Sequence, residues 1–397
     1  MKKAIVVHAG SRDHYQLALA LNERNLLEKL ITDFYSPEIL QFLFPYFKKR
    51  YKNGLQSKKV RNSYHIVLNQ ILQKFVNTHQ EIFYRKQDKK LSEIALKYAK
   101  ETDSNLFLYS YYAYNAFKEC NGENKKILFQ VHPHPLTVKR ILQEEIQLVP
   151  QAKKSLGDEA EMVLKGELLE QLVAEPEMAD SIVVASSFTK TSLIENGIDE
   201  KIIKVIPYGV DFGNFNTLKR ERKNSGNINL IFVGNIIQRK GVSYLLDAMR
   251  LLKSKNINLT LIGRKADRVL LKDYSDMTNI NIKLNISQKE LSEELNKSDI
   301  FVFPSLIEGF ALVILEAMAS GLPVITTNNT SGADIIKDGE HGYIVPVRSA
   351  ESIAEKIESF IKDKKYFEMG LNAERKAKEY SWEIFRKNIS DFYIHMN

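Results

Sequence analysis

Phe301-Val302-Phe303-Pro304-Ser305-Leu306-Ile307-Glu308-Gly309-Phe310-Ala311-Leu312-Val313-Ile314-Leu315-Glu316-Ala317-Met318-Ala319-Ser320-Gly321 is the stretch that decides how this chain folds. A short apolar run ends at Pro304-Ser305, and a turn carries Glu308 and Gly309. An apolar helix is then predicted from Gly309 to Ala319, where Gly321-Leu322-Pro323 stops it. The free amides of Gly309, Phe310, Ala311 and Leu312 are expected at the helix start. Unpaired N–H groups and the helix dipole there favour an anion such as a diphosphate. Glu316 lies eight positions after Glu308, about 12 Å along a helix axis and on nearly the same side. A diphosphate at the mouth would leave Glu316 to accept both hydroxyls of an attached ribose. The plainer reading is a solvated Glu308 and a Glu316 in an ordinary ion pair. Against it stands the apolar run that Glu316 interrupts, where an unpaired charge is costly.

Strand, loop and helix recur on both sides of this stretch. Toward the N-terminus, Lys2 to Gly10 reads as a strand and turn, and Asp13 to Asn25 carries apolar residues at helical spacing. Further β-rich runs follow at Asn105 to Ser110, Lys126 to His132 and Ser181 to Ala185. Phe212 to Asn227 is polar and lacks apolar periodicity, as a linker would. Strands are then predicted at Ile228 to Val233, Leu259 to Ile262, Ile280 to Leu284, Asp299 to Pro304 and Pro323 to Thr326. Helices are predicted at Val242 to Lys253, Gln288 to Asn296 and Ala350 to Lys362. The expected fold class is α/β, with two Rossmann-like parallel-sheet domains facing across a cleft. Residues 1–212 form the first, 213–227 the linker and 228–379 the second. Ligands bind beyond the carboxyl ends of such strands, so the cleft is the expected site.

With 397 residues, 44% hydrophobic and 27% charged, the chain can bury two ordinary cores; disorder and collagen-like architectures are excluded. A single cysteine cannot form an internal disulfide, which makes a reducing cytosol the default expectation. Ala4 to Val7 is too short for a signal-peptide core, and no run approaches the roughly 18 apolar residues of a membrane span. The net charge of +8 is concentrated: no Asp or Glu occurs between Ile39 and Gln80, while Lys48, Lys49, Arg50, Lys52, Lys58, Lys59, Arg61 and Lys74 do. Phe42-Leu43-Phe44-Pro45-Tyr46-Phe47 precedes the first of these, so residues 42–61 would suit peripheral contact with an anionic membrane at its inner face. The plainer reading is a core helix with a solvated basic face. No nucleic-acid reading module accompanies the charge.

The chemistry-bearing residues sit at strand ends. Phe232 to Gly241 repeats the strand-loop-helix pattern and offers Gly234, Asn235, Arg239 and Lys240. No Asp-x-Asp occurs, so a diphosphate here would need fixed cations, and Arg239 and Lys240 are the best placed to neutralise it as a leaving group. Loops after Gly263 and around Asn285 to Ser287 are expected to surround a base. In Gln130-Val131-His132-Pro133-His134, two histidines two apart face opposite sides, and His132, at the strand end, is assigned to the cleft. No cysteine or third ligand at zinc spacing lies nearby. The loop Gly10-Ser11-Arg12-Asp13 lacks the repeated glycines of a dinucleotide fingerprint, which argues against a dehydrogenase.

Pro304 to Ile325 resembles the signature of the retaining GT-B glycosyltransferases of family 4 (glycosyl transferases group 1). Ala179 to Ser186, Val205 to Asp211 and Gly339 to Tyr343 are similar to further blocks of that family in the same order. The resemblance implies a hexosyltransferase using a nucleotide-sugar donor and a hydroxyl acceptor on a glycan, lipid or small molecule, with no cofactor or metal. It implies catalytic roles for His132 and Glu308. Donor contacts would come from Gly234, Asn235, Arg239, Lys240, Gly263, Ser305, Gly309, Phe310, Ala311, Leu312 and Glu316. Gly10, Ser11 and Arg12 would lie on the acceptor side. Residues 380–397, with Ser381-Trp382-Glu383 to Phe392, would cross back onto the first domain. Two departures stand out. Asn235 replaces an arginine common after the glycine, and the first loop has Gly10 where relatives often have a glycine pair. The alternatives are a nucleotide-sugar epimerase or hydrolase on the same fold, or a non-catalytic binding protein.

Overall fold

Ala-Ile-Val-Val and Ile-Phe-Val-Phe are short apolar runs with no polar alternation, which is how strands covered on both faces read. In the computed structural model they become central strands of two separate sheets. The structure describes residues 1–36, 38, 47, 49–64, 80–213, 215, 226–252, 256–363 and 365–396. Most of the expected linker and residues 42–46 and 48 of the basic aromatic segment lie outside the described residues.

The first sheet has seven strands: β1 (Ala4–Val7), β2 (Leu27–Thr32), β3 (Val60–Asn62), β4 (Asn105–Tyr109), β5 (Lys126–Gln130), β6 (Ser181–Val184) and β7 (Ile203–Val205). Their order is β3-β2-β1-β4-β5-β6-β7, every pairing parallel. The second has six: β8 (Ile228–Val233), β9 (Ile257–Gly263), β10 (Ile280–Leu284), β11 (Ile300–Phe303), β12 (Val324–Thr327) and β13 (Gly342–Val345), in the order β10-β9-β8-β11-β12-β13, also parallel. In each sheet the strand order reverses beside the first strand, between β1 and β4 and between β8 and β11. The loops leaving those strands define the crevice of a doubly wound sheet. The two sheets and their helices give the GT-B architecture.

The last helix, Trp382–Met396, packs on the first sheet's lobe. Tyr393 donates to the Lys2 carbonyl at 2.9 Å, Ser390 to the Ala20 carbonyl at 2.9 Å, and Arg386 reaches Gln16 at 2.9 Å. At the crossing point a Cβ on Gly209 would stand 2.3 Å from the Ser381 carbonyl carbon, so no larger residue fits there. Tyr208 beside it stacks on Phe129 of β5 and meets Phe310, Trp382 and Phe385 edge-on or tilted.

Two helix starts differ from expectation. The helix expected over Asp13 to Asn25 runs Gln16–Glu23, because Asp13, His14 and Tyr15 all take left-handed backbone (φ 41°, 51° and 62°) in a turn ahead of it. The helix expected from Gly309 begins at Leu312, because Ala311 is left-handed (φ 69°). Glu308 therefore sits in the loop and not on the helix. Glu316 lies little more than one turn inside the helix.

Candidate active site

Three loops of the second sheet meet at its switch point. The one after β8 ends in a turn, Gln238–Lys240, and Gly241 (φ 69°). A Cβ on Gly241 would stand 2.0 Å from the Pro304 carbonyl oxygen, so its glycine lets this loop press onto the loop after β11. The two are laced together: Leu306 N–H donates to the Arg239 carbonyl at 3.0 Å, and the Ser305 hydroxyl lies 3.1 Å from the same oxygen. Glu308 N–H donates to the Asn329 carbonyl at 2.9 Å, tying in the loop after β12.

These bonds aim the Glu308 carboxylate at Lys240, with which it forms an ion pair, and at the Ser305 hydroxyl 2.8 Å away. Burial works against its charge, but Lys240 and Arg239 outweigh burial and hold the carboxyl below its ordinary value. Glu308 is therefore ionised at neutral pH. Glu316 has no such neighbour. No described residue bonds to or pairs with its carboxylate, and burial pushes it up to about 7. No side chain caps the helix Leu312–Ala319, which leaves first-turn amides for a ligand.

A cavity of about 510 Å³ opens among these groups. Of the expected donor residues, Gly234, Asn235, Lys240, Gly263, Glu308, Ala311 and Glu316 line it, together with Asn285, Ile286 and Ser287. Arg264, which opens the loop expected there after Gly263, lines it too, as does Gln288, which the sequence reading did not name. Arg264 follows Gly263 at the end of β9, the kind of position that lines such a crevice. The other expected donor residues lie elsewhere. Arg239 does not line the cavity: it is ion-paired with Glu159 of the first lobe. Burial opposes its charge, but Glu159, Glu161 and Glu308 keep it protonated. Ser305 is buried beneath Glu308, and Phe310 is buried against Tyr208. The Gly309 carbonyl accepts from the Ser186 hydroxyl at 2.6 Å, and Leu312 faces a neighbouring cavity.

Across the cleft, His132 sits with its ring edge-on to Tyr111 at 5.8 Å. Burial first, then Arg239 and Arg12, push its pKa down to about 3, so it is a neutral imidazole. His134 turns the other way and caps the helix Pro135–Leu148, its Nδ1 accepting from Leu136 N–H at 3.3 Å. Gly10 N–H donates to Asp33 at 2.9 Å, Ser11 accepts from His14 N–H at 3.2 Å, and the Arg12 guanidinium lies 5.8 Å over the Tyr112 ring. Asp13 is half-buried and accepts a hydrogen bond from Tyr109 at 2.6 Å, and the desolvation of its carboxyl pushes it up to about 7.

The lobes touch through buried polar contacts that the sequence reading also missed. Glu145, fully buried, accepts from Gln238 at 2.7 Å and Tyr244 at 2.9 Å and pairs with Arg348 at 2.7 Å. Its signal was present in the sequence: Glu145 falls on the apolar stripe Val138, Ile141, Leu142 of its helix, where a charge implies a partner. Among the described residues no three of His, Cys, Asp and Glu cluster so as to hold a metal ion, and no helix is long and apolar enough to cross a membrane.

Two parallel sheets with a cavity at the second sheet's switch point and a histidine facing it from the first make up a GT-B fold with a candidate site at the cleft. Residues 214–380 match the model of the family glycosyl transferases group 1. Over 231 residues the chain is 31% identical to the capsular polysaccharide biosynthesis glycosyltransferase CapM of Staphylococcus aureus, a match covering 54% of this chain and 61% of that protein. The whole chain superposes on sucrose-phosphate synthase from Thermosynechococcus elongatus (TM-score 0.71, 18% identity, 99% of that chain covered). It also superposes on Anabaena HepE solved with UDP-glucose (TM-score 0.61, 14% identity, 100% of each chain covered). At these identities the structural matches establish the fold.

Proposed function

We propose that the protein is a retaining glycosyltransferase that moves a sugar from a nucleotide-diphosphate sugar to a hydroxyl acceptor. The observation that carries this is the presence of two half-buried carboxylates on one cavity, Glu308 ionised against Lys240 and Glu316 without a partner among the described residues. The helix start and Lys240 suit the diphosphate, and the uncompensated Glu316 suits a ribose diol, which supplies the hydrogen bonds its burial lacks. Glu308 and neutral His132 flank the place where the sugar would lie. A neutral imidazole can accept from or donate to a sugar hydroxyl without adding charge beside the diphosphate.

In this reading the leaving phosphate oxygen takes the acceptor proton as the new glycosidic bond forms on the face the diphosphate leaves. Configuration is retained and no enzyme nucleophile is needed. Lys240 and Arg264 supply positive charge from the protein, which is the basis for expecting transfer without a metal. The role of the similar protein CapM in capsular polysaccharide biosynthesis supports a glycan acceptor here.

Melting-point screening against UDP-, GDP- and ADP-sugars tests the reading. One class should raise the transition of the native protein, and Glu316→Ala should abolish the shift. A chain that none of the three stabilises does not have this function.

A further inference from the structure

Beside the donor cavity lies a second, of about 460 Å³, walled by both lobes. Arg264, Ser287, Gln288 and Glu316 line both, so the two form one continuous trough. The first lobe contributes His14 together with Lys49 and Lys52 of the acid-free segment.

The charges in this second cavity are unbalanced. Among the described residues neither Lys49, Lys52 nor Arg264 is ion-paired, whereas Lys240, Arg239 and Arg348 in the same cleft each hold a carboxylate. Two acids face the three cations. Asp211 is engaged with the Gly213 N–H at 3.0 Å, and Glu316 is pushed up to about 7 by burial. His14 adds no charge at neutral pH, because burial and then Lys52 lower its pKa, with Lys49 also lowering it and Asp211 opposing. Burial, then Arg386, pushes the Lys52 ammonium down against Asp211, Glu383 and Asp13, which do not fully offset them, so its charged form gains from a further anion brought near.

We propose that this cavity is a second anion subsite that takes a phosphate group, with Lys49, Lys52 and Arg264 as its ligands. Two lysine point charges and one planar guanidinium on separate segments converge on a space large enough for a phosphate. The proposal rests on reading the adjoining cavity as the donor site. The phosphate has two possible sources: a phosphorylated second substrate, or the donor's own diphosphate contacted from the first lobe.

Calorimetric titration of the full chain with inorganic pyrophosphate tests this. It is run alone and then in the presence of whichever of UDP, GDP and ADP binds most tightly. Lys49→Gln/Lys52→Gln and Arg264→Gln should each weaken pyrophosphate about tenfold or more, a loss of about 1.4 kcal/mol. Pyrophosphate that still binds beside the nucleotide assigns the subsite to a second substrate. Pyrophosphate displaced by the nucleotide, with the same variants weakening the nucleotide, assigns it to the donor. Undiminished binding in both variants, or none to the parent protein, overturns the proposal. If no nucleoside diphosphate binds yet the variants still lose pyrophosphate, the donor reading fails and the subsite stands.

Discussion

Gly309 and Val131 meet across the cleft at a distance that admits no side chain: a Cβ on Gly309 would stand 1.9 Å from the Val131 carbonyl oxygen. The contact joins the loop that carries Glu308 to the strand end that carries His132. It sets the spacing between the two residues expected to flank the reacting sugar. Gly309→Ala cannot be absorbed by a flexible neighbour, because the obstacle is backbone. The cleft must open or the loop must shift, with about 1–3 kcal/mol lost. Turnover should fall about 100-fold while nucleotide affinity changes little, measured as kcat against the donor's dissociation constant. Unaltered turnover would show that the lobes need not approach this closely.

Breaking the Glu308–Lys240 pair leaves a buried charge without its partner. Glu308→Gln should destabilise the fold by about 3 kcal/mol in urea titration, and Glu308→Gln with Lys240→Met should recover much of that loss without recovering activity. The pair also gives a pH dependence. Its carboxyl is held below the ordinary value in the folded state, so its contribution is present above the unfolded pKa and fades as pH falls through the folded one.

Glu316 behaves in the opposite sense. Its folded pKa of about 7 lies above the unfolded value, so the folded state binds the extra proton and this site loses stability as pH rises from about 4.5 toward 7. Glu316→Gln should therefore raise stability at pH 8 by about 2 kcal/mol and leave it unchanged at pH 4. Donor affinity in the parent protein should improve as pH rises from 6 to 8, as the carboxylate gains its second acceptor oxygen. A flat profile in the parent, by isothermal calorimetry, would take Glu316 out of ribose binding.

Arg239 and Lys240 are adjacent in sequence and serve different partners in space, Glu159 across the cleft and Glu308 in the cavity. Lys240→Gln should raise the nucleoside diphosphate dissociation constant about tenfold or more, whereas Arg239→Gln should leave it within about twofold and reduce stability instead. Equal effects on nucleotide binding would return Arg239 to the diphosphate.

His132 is neutral throughout the physiological range, since its pKa is about 3. His132→Ala should cut kcat about 100-fold or more, but the acidic limb of the pH–rate profile should stay where it is in the His132→Asn protein, because imidazole protonation does not produce it. Movement of that limb would make His132 a titrating group.

The two parallel sheets were legible because both-face burial writes itself as apolar runs, and β8 falls where that pattern put it; the edge strand β10, Ile-Asn-Ile-Lys-Leu, was found by its alternation instead. β3 and β7, at the edges of the first sheet, are three residues each and too short to leave a period. The late start of the helix at Leu312 escaped the reading for a related reason. Ala311 has no residue-type signature for left-handed backbone, so its conformation is imposed by the loops packed around it.

By itself, then, the amino-acid order determined the architecture, the switch-point loops and the presence of Glu308, Glu316 and Lys240 at one place. Those follow from local periodicity and from which residue types can end a strand or begin a helix. Tertiary structure alone decided that Arg239 turns to Glu159, that Arg264 faces the cavity, and that Glu145 binds three residues of the other lobe. Burial and charge pairing depend on distances between segments far apart in the chain, and no local pattern encodes those distances.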